Sequence, residues 1–93
     1  MPEVKYTQKR AVLYGVVGKN MGLRECAAIF NCARKHKCRI QISFNRNTGT
    51  SDSIISLFSI RVRKNTFVVI EITGKELNAA CLECIDALDF VAL

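Results

Sequence analysis

The most reactive side chains in this sequence belong to five cysteines and one histidine. Cys81 and Cys84 are separated by two residues, a spacing found in zinc sites and in thiol redox centres. Cys32, His36 and Cys38 offer a second group of three ligands at looser spacing. A structural zinc site takes four ligands, and the sequence has no second C-x-x-C pair to complete either group. We therefore predict no metal site and expect reduced cysteines that pack as small apolar side chains.

The sequence carries no motif for catalysis. It has no glycine-rich phosphate loop, and no nucleophile with a neighbouring base stands out. The single histidine, His36, lies in the basic run Arg34–Lys37. We predict that it is a solvated surface residue near the end of a helix, where a cation is favoured. The chain is therefore expected not to be an enzyme, to need no cofactor and to bind no small molecule.

Length and composition indicate one globular domain over residues 1–93. Apolar residues make up 49% of the chain and charged residues 24%, which is ordinary usage for a folded protein. No apolar run approaches the ~20 residues that span a membrane. Residues 1–10 are polar, unlike a secretory signal. We expect a cytoplasmic protein without a membrane partner.

Charge is unevenly distributed along the chain, whose net charge is +6. Residues 1–46 carry ten basic and two acidic side chains, whereas residues 47–93 carry four and six. A basic half favours an acidic partner, so a polyanion-binding domain is one hypothesis. The residues that would serve it are Lys19, Arg24, Lys35, Lys37, Arg39 and Arg46. Nucleic acid is not favoured, because two tyrosines, five phenylalanines and no tryptophan leave few rings for base stacking.

The first half of the chain predicts two strands around a helix. Residues 10–17 are β-branched and aromatic, which favours a strand. Residues 23–37 form an amphipathic helix, and residues 39–44 alternate polar and apolar side chains as a strand does. The side chains expected in the core are Cys26, Ile29, Phe30 and Ala33 from the helix and Ile40, Ile42 and Phe44 from the strand.

The second half predicts a hairpin, two helices and a central strand. Residues 45–49 favour a turn that leads into a short strand near Thr50. Ser53 is placed to cap a helix over residues 54–60. Residues 66–73 predict a central strand, and residues 77–88 a last helix with Glu76, Glu83, Asp86 and Asp89 on its outer side. The predicted order is β-α-β-β-α-β-α.

Three segments together resemble HPr, the small phosphocarrier family of the bacterial sugar phosphotransferase system. They are residues 20–28, residues 53–58 and the string TFVVIEITGKELNAACLECIDAL. The resemblance implies an α+β fold, an open-faced β-sandwich with an antiparallel sheet and its helices on one face. An ACT-like ligand-sensing domain is an alternative, since VLYGVVGKNMGL resembles the opening of that domain.

The family signature Gly-Leu/Ile-His-x-Arg-Pro-Ala lacks its histidine here. Without gaps, Gly22 lies at the phosphorylated histidine, Arg24 at the arginine and Glu25 at the proline. A shifted placement puts Gly22 and Leu23 on the Gly-Leu pair and Arg24 at the histidine. Neither glycine nor arginine accepts phosphate as an imidazole does. What the resemblance leaves is an anion site formed by Arg24 and the helix N-terminus, opposed by the carboxylate of Glu25.

The resemblance also implies a regulatory surface. It puts Ser53 at the serine that a dedicated kinase phosphorylates, and it predicts a partner-binding surface of Met21, Ile54, Ile55 and Phe58. The implied partners are phosphotransferase-system proteins, HPr kinase or a transcription regulator. The leading hypothesis is therefore a regulatory binding partner that no longer relays phosphate through histidine.

Overall fold

A five-stranded antiparallel sheet is the base of the fold in the computed structural model, which describes residues 9–93. In chain order the strands are β1 (Lys9–Val16), β2 (Cys38–Phe44), β3 (Asn47–Thr50), β4 (Phe67–Gly74) and β5 (Val91–Ala92). They lie side by side in the order β3-β2-β4-β1-β5. The strand predicted over residues 66–73 is central, as expected.

Side chains on β4 alternate between the core and the open face of the sheet. Val68, Ile70 and Ile72 are fully buried, and the residues between them are partly exposed. Ile40 and Ile42 on β2 lie directly opposite Ile72 and Ile70, and both are also fully buried. Each such side chain contributes about 1.5–3 kcal/mol through removal of apolar surface from water. This double row fixes the register of the sheet, because a slip of one residue would expose it.

Three helices cover the buried face, which confirms the predicted α+β open-faced sandwich. They are α1 (Leu23–Lys35), α2 (Ile54–Ser59) and α3 (Leu77–Leu88). The core side of α1 carries Cys26, Ile29, Cys32 and Ala33, and that of α3 carries Ala80, Cys84 and Leu88. The predicted bounds of α3 are confirmed, whereas α1 ends two residues earlier than predicted. None of the described helices is long and apolar enough to cross a bilayer.

The sequence predicts one edge of the sheet and not the other. At one edge, β2 and β3 form the predicted hairpin, whose two turn residues Asn45 and Arg46 have φ of 49° and 68°. Two positive φ values match the twist of a two-residue hairpin turn. At the other edge, β5 pairs with β1 and was not predicted, because two residues are too short to show a strand pattern. Gly15 permits this pairing, since a Cβ there would lie 2.2 Å from the carbonyl oxygen of Val91.

Candidate functional site

The N-terminus of α1 is the first part of the candidate site. Gly22 is the N-cap residue, with extended φ and ψ, and it has no side chain with which to cap the helix. Glu25 compensates in part, because its Oε1 accepts the Gly22 N–H at 2.9 Å. Arg24 is exposed beside it. The first turn therefore combines an exposed arginine with the amides of a helix N-terminus, but the Glu25 carboxylate already accepts the Gly22 N–H and repels a second anion.

The loop before α1 is tied to the segment that follows α2. The N–H of Met21 donates to the carbonyl oxygen of Val62 at 2.9 Å, and the N–H of Lys64 donates to Asn20 Oδ1 at 2.8 Å. The Asn65 N–H donates to the carbonyl oxygen of Val17 at 2.7 Å. These bonds hold the start of α1 beside the end of α2. The side chain of Met21 lies in the core, 3% exposed, so its predicted role on a partner-binding surface is corrected: it is not at the surface.

Ser53 caps α2, as the sequence predicts. Its backbone is extended, and its Oγ accepts the Ser56 N–H at 2.9 Å. The side chain is exposed, so the hydroxyl that caps the helix also faces solvent. The helix packs against β3, where the N–H of Thr50 donates to Ser56 Oγ at 3.0 Å. Gly49 allows this close approach, because a Cβ there would lie 2.8 Å from the Ser56 carbonyl oxygen.

The apolar residues of α2 divide between core and solvent. We call Ile54, Ile55 and Phe58 the α2 surface. Ile55 is 79% exposed, which is high for an isoleucine, whereas Ile54 and Phe58 are half-buried and pack against the core. The guanidinium of Arg61 lies 4.7 Å from the centre of the Phe58 ring, within the range of a cation–π contact. The α2 surface thus has one free apolar side chain and two supporting ones.

His36 is buried between two carboxylates, which corrects the prediction of a solvated histidine. It is 7% exposed, and its Nδ1 lies 2.9 Å from Glu76 Oε1 while its Nε2 lies 2.8 Å from Glu83 Oε1. The reason is the packing of α3 against α1, which turns Glu83 toward the end of α1 rather than outward. Hydrogen bonds to Glu76 and then to Glu83 raise the pKa of His36. Bonds from Lys35 and then from His36 lower the pKa of Glu83 to about 2.

The cysteines follow the predicted packing, although their neighbours differ from the predicted groups. Cys26, Cys32 and Cys84 are buried, while Cys38 and Cys81 are partly exposed, and all five are free thiols. Cys38 donates to the carbonyl oxygen of His36 at 3.3 Å, so its thiol does not join the imidazole ring. The third side chain beside Cys32 and His36 is Glu83 instead of Cys38. In the sequence, the i, i+4 spacing of Cys32 and His36 at the end of α1 indicates that these two side chains lie on the same side.

The basic residues of the first half are partly neutralised. Arg39 pairs with Asp52, and Lys35 pairs with Glu83. Both basic residues were counted among those that would bind a polyanion. Since their charges already face carboxylates, the structure lends the polyanion hypothesis no added support.

Similar proteins agree with this architecture. Residues 17–89 match the family model of the PTS HPr component phosphorylation site. The fold is similar to that of the histidine-containing phosphocarrier protein of a mycoplasma, with a TM-score of 0.71, 21% identity, and coverage of 84% of this chain and 97% of that one. It is also similar to the crystal structure of HPr-C-His from Thermoanaerobacter tengcongensis, with a TM-score of 0.68, 17% identity, and coverage of 87% and 91%. None of the curated proteins matches significantly.

The sheet order, the three helices and the two loops tied together define a phosphocarrier-type sandwich. The chain belongs to the HPr family of the phosphotransferase system. Members of this family carry phosphate and are not themselves catalysts. The alternative of an ACT-like ligand-sensing domain is therefore wrong.

Proposed function

We propose that this protein is an HPr-family member that has lost the phosphorylatable histidine and acts as a regulatory binding partner. The observation that carries the proposal is the N-cap of α1, where Gly22 has no side chain and therefore no nucleophile. The single histidine of the chain follows the far end of α1, roughly 20 Å away at 1.5 Å per residue. Both nitrogens of His36 also face carboxylates, which would repel an incoming phosphate.

Partner binding is proposed at the α2 surface. A large, exposed apolar side chain such as Ile55 is a natural contact for a second protein, and Ile54 and Phe58 support it from below. The nearby N-terminus of α1 adds the exposed side chains of Leu23 and Arg24. By resemblance to the family, the partner is a phosphotransferase-system protein, HPr kinase or a transcription regulator.

Control of this surface is proposed at Ser53. Its hydroxyl is exposed and directly precedes Ile54 and Ile55. A phosphate there would add about −2 charge next to the apolar contact residues. The expected consequence is a change of partner rather than a change of fold.

Intact-mass spectrometry after two incubations tests the phosphorylation proposals. One incubation contains phosphoenolpyruvate and the first phosphotransferase enzyme, and the other contains ATP and HPr kinase. We expect no acid-labile phosphate from the first, and one acid-stable phosphate from the second that Ser53→Ala abolishes. Ser59→Ala, an exposed serine on the same helix, is the matched control and should still be modified. A labile phosphate from phosphoenolpyruvate would overturn the loss of carrier function.

Binding is tested separately with Ile55→Asp. The variant should retain its fold, because Ile55 is 79% exposed, and should lose capture of phosphotransferase-system partners in a pull-down. Leu82→Asp is the matched control, since Leu82 is 68% exposed on α3, outside the α2 surface. Equal partner capture by both variants would contradict the proposed surface.

A further inference from the structure

We propose that Cys32, His36 and Glu83 form a binding site for zinc or a similar divalent transition metal between α1 and α3. The sequence alone predicts no such site, because Glu83 is distant in the chain and its approach depends on helix packing. This inference is independent of the proposed regulatory function. It rests on donor geometry at the opposite end of α1 from Gly22.

The three donor atoms converge. The Sγ of Cys32, a nitrogen of His36 and a carboxylate oxygen of Glu83 all lie within 4.8 Å of one another. Tetrahedral zinc holds sulfur at about 2.3 Å and nitrogen or oxygen at about 2.0–2.2 Å, which places its ligands roughly 3.5 Å apart. Small rotamer changes are therefore enough to bring the three atoms onto one ion. Thiolate, imidazole and carboxylate together are a zinc-type ligand set rather than one for calcium or magnesium.

His36 is already oriented as a metal ligand. Its Nδ1 lies 2.9 Å from Glu76 Oε1, which leaves Nε2 on the side of Glu83. A carboxylate behind the imidazole is the usual arrangement at zinc, since it fixes the ring and raises its basicity. The ring is also held by burial at 7% exposure. Glu76 thus has the role of a positioning residue, although it does not touch the ion.

Cys32 is a buried thiol whose Sγ lies close to the other two donor atoms. It is 2% exposed, and it donates a hydrogen bond to the carbonyl oxygen of Ala80 at 3.6 Å, which metal binding would break. Binding of a divalent ion would release the thiol proton of Cys32 and any proton on His36 Nε2 to solvent. A water molecule would supply the fourth ligand.

A metal ion would reach the site past Glu83, and it would compete there with Lys35 for the Glu83 carboxylate. The Glu83 side chain is 39% exposed, so an ion can reach the site past it. Lys35 Nζ lies 2.8 Å from the same Glu83 Oε1 that faces His36 Nε2. An ion must displace this ammonium group. Removing the lysine charge should therefore tighten metal binding.

Cobalt(II) titration of the reduced full-length protein, followed by zinc competition, tests the site. Tetrahedral cobalt bound to a thiolate gives visible d–d bands and a sulfur-to-metal charge-transfer band in the near ultraviolet. We expect both in the wild type, displacement by zinc, and loss of the charge-transfer band in Cys32→Ser. Cys38→Ser is the matched control and should keep it. Glu76→Gln should weaken zinc about 10- to 100-fold, and Lys35→Ala should tighten it.

Several results would overturn the site. They are the absence of a thiolate band in the wild type, a band that persists in Cys32→Ser, or a band that disappears in Cys38→Ser. If Cys32→Ser fails to fold by circular dichroism, nitrogen-15 NMR of wild-type His36 decides instead. Zinc should then move the Nε2 resonance while Nδ1 stays protonated, and an unchanged Nε2 resonance rejects the proposal.

Discussion

The guanidinium of Arg39 meets the carboxylate of Asp52 through two hydrogen bonds, 3.1 Å from Nη2 and 3.3 Å from Nε. This pair joins β2 to the residue just before Ser53. Both side chains are more than half exposed, so the pair adds little to stability. Its importance is local, because it neutralises one negative charge beside the proposed phosphorylation site.

The Arg39–Asp52 pair predicts a pH dependence. Hydrogen bonds from Arg39 lower the pKa of Asp52 below its ordinary value. A depressed pKa means that the small stabilisation is present above the unfolded-state value and is lost as the pH falls through the folded-state value. An NMR titration of the Asp52 carboxyl carbon should show this, and Arg39→Gln should raise the Asp52 pKa. Arg34→Gln, an exposed arginine on α1, should leave it unchanged. An equal Asp52 pKa in the wild type and in Arg39→Gln would contradict the pairing.

Removing the Ser53 hydroxyl should destabilise the protein before any phosphorylation is considered. Ser53→Ala loses the acceptor for the Ser56 N–H, and an N-cap of this kind contributes about 1 kcal/mol. Ser53→Asp should retain most of it, since aspartate caps equally well. Urea denaturation measures both. If Ser53→Ala is as stable as the wild type, the cap contributes nothing here.

Adding a methyl group beneath α2 should shift the helix and so weaken the α2 surface, although none of its three residues is substituted. Gly49→Ala places a Cβ 2.8 Å from the Ser56 carbonyl oxygen and 3.1 Å from the Leu57 Cα, and both neighbours are backbone. Overpacking of this kind costs roughly 1–3 kcal/mol. Thermal unfolding should show the loss, together with weaker partner capture. Thr48→Ala, at the exposed neighbour in β3, should change neither.

Restoring a histidine should require two changes rather than one. Gly22→His supplies an imidazole at the N-cap of α1, but the Glu25 carboxylate still occupies the Gly22 amide and repels phosphate. We expect no labile phosphate in Gly22→His alone and a detectable amount when it is combined with Glu25→Ala. Intact mass after incubation with phosphoenolpyruvate and the first phosphotransferase enzyme is the measurement. Phosphate on the single variant would show that Glu25 is no obstacle.

Local patterns predicted much of the fold. The cap at Ser53 and the bounds of α3 depend on neighbours in sequence and are found as expected. The turn predicted over residues 45–49 is shorter than expected, because β3 already begins at Asn47. Family resemblance added the architecture. The features that were missed depend on tertiary packing. His36 reads as a surface residue in a basic run, and only the approach of α3 buries it between Glu76 and Glu83.

The candidate site was predicted less completely for the same reason. Apolar residues near a helix N-terminus can face either the core or the solvent, and spacing does not decide between them. Met21 is buried while Ile55 is exposed, although both are apolar and both were assigned to one surface. Met21 lies in a loop whose backbone is hydrogen-bonded to Val62, which is far away in sequence, whereas Ile55 lies on the solvent side of α2.

The position of β4 sets the order in which this protein can be assembled. Both β1 and β2 use β4 as their partner, and β4 comprises residues 67–74. During synthesis, the edges of β1 and β2 that pair with β4 stay unpaired until residues 67–74 have been made. Long-range pairing of this kind slows folding and leaves strand edges open to wrong partners. The hairpin of β2 and β3 and the helix α1 depend on contacts that are local in sequence, so they are the parts that can form before β4 is made.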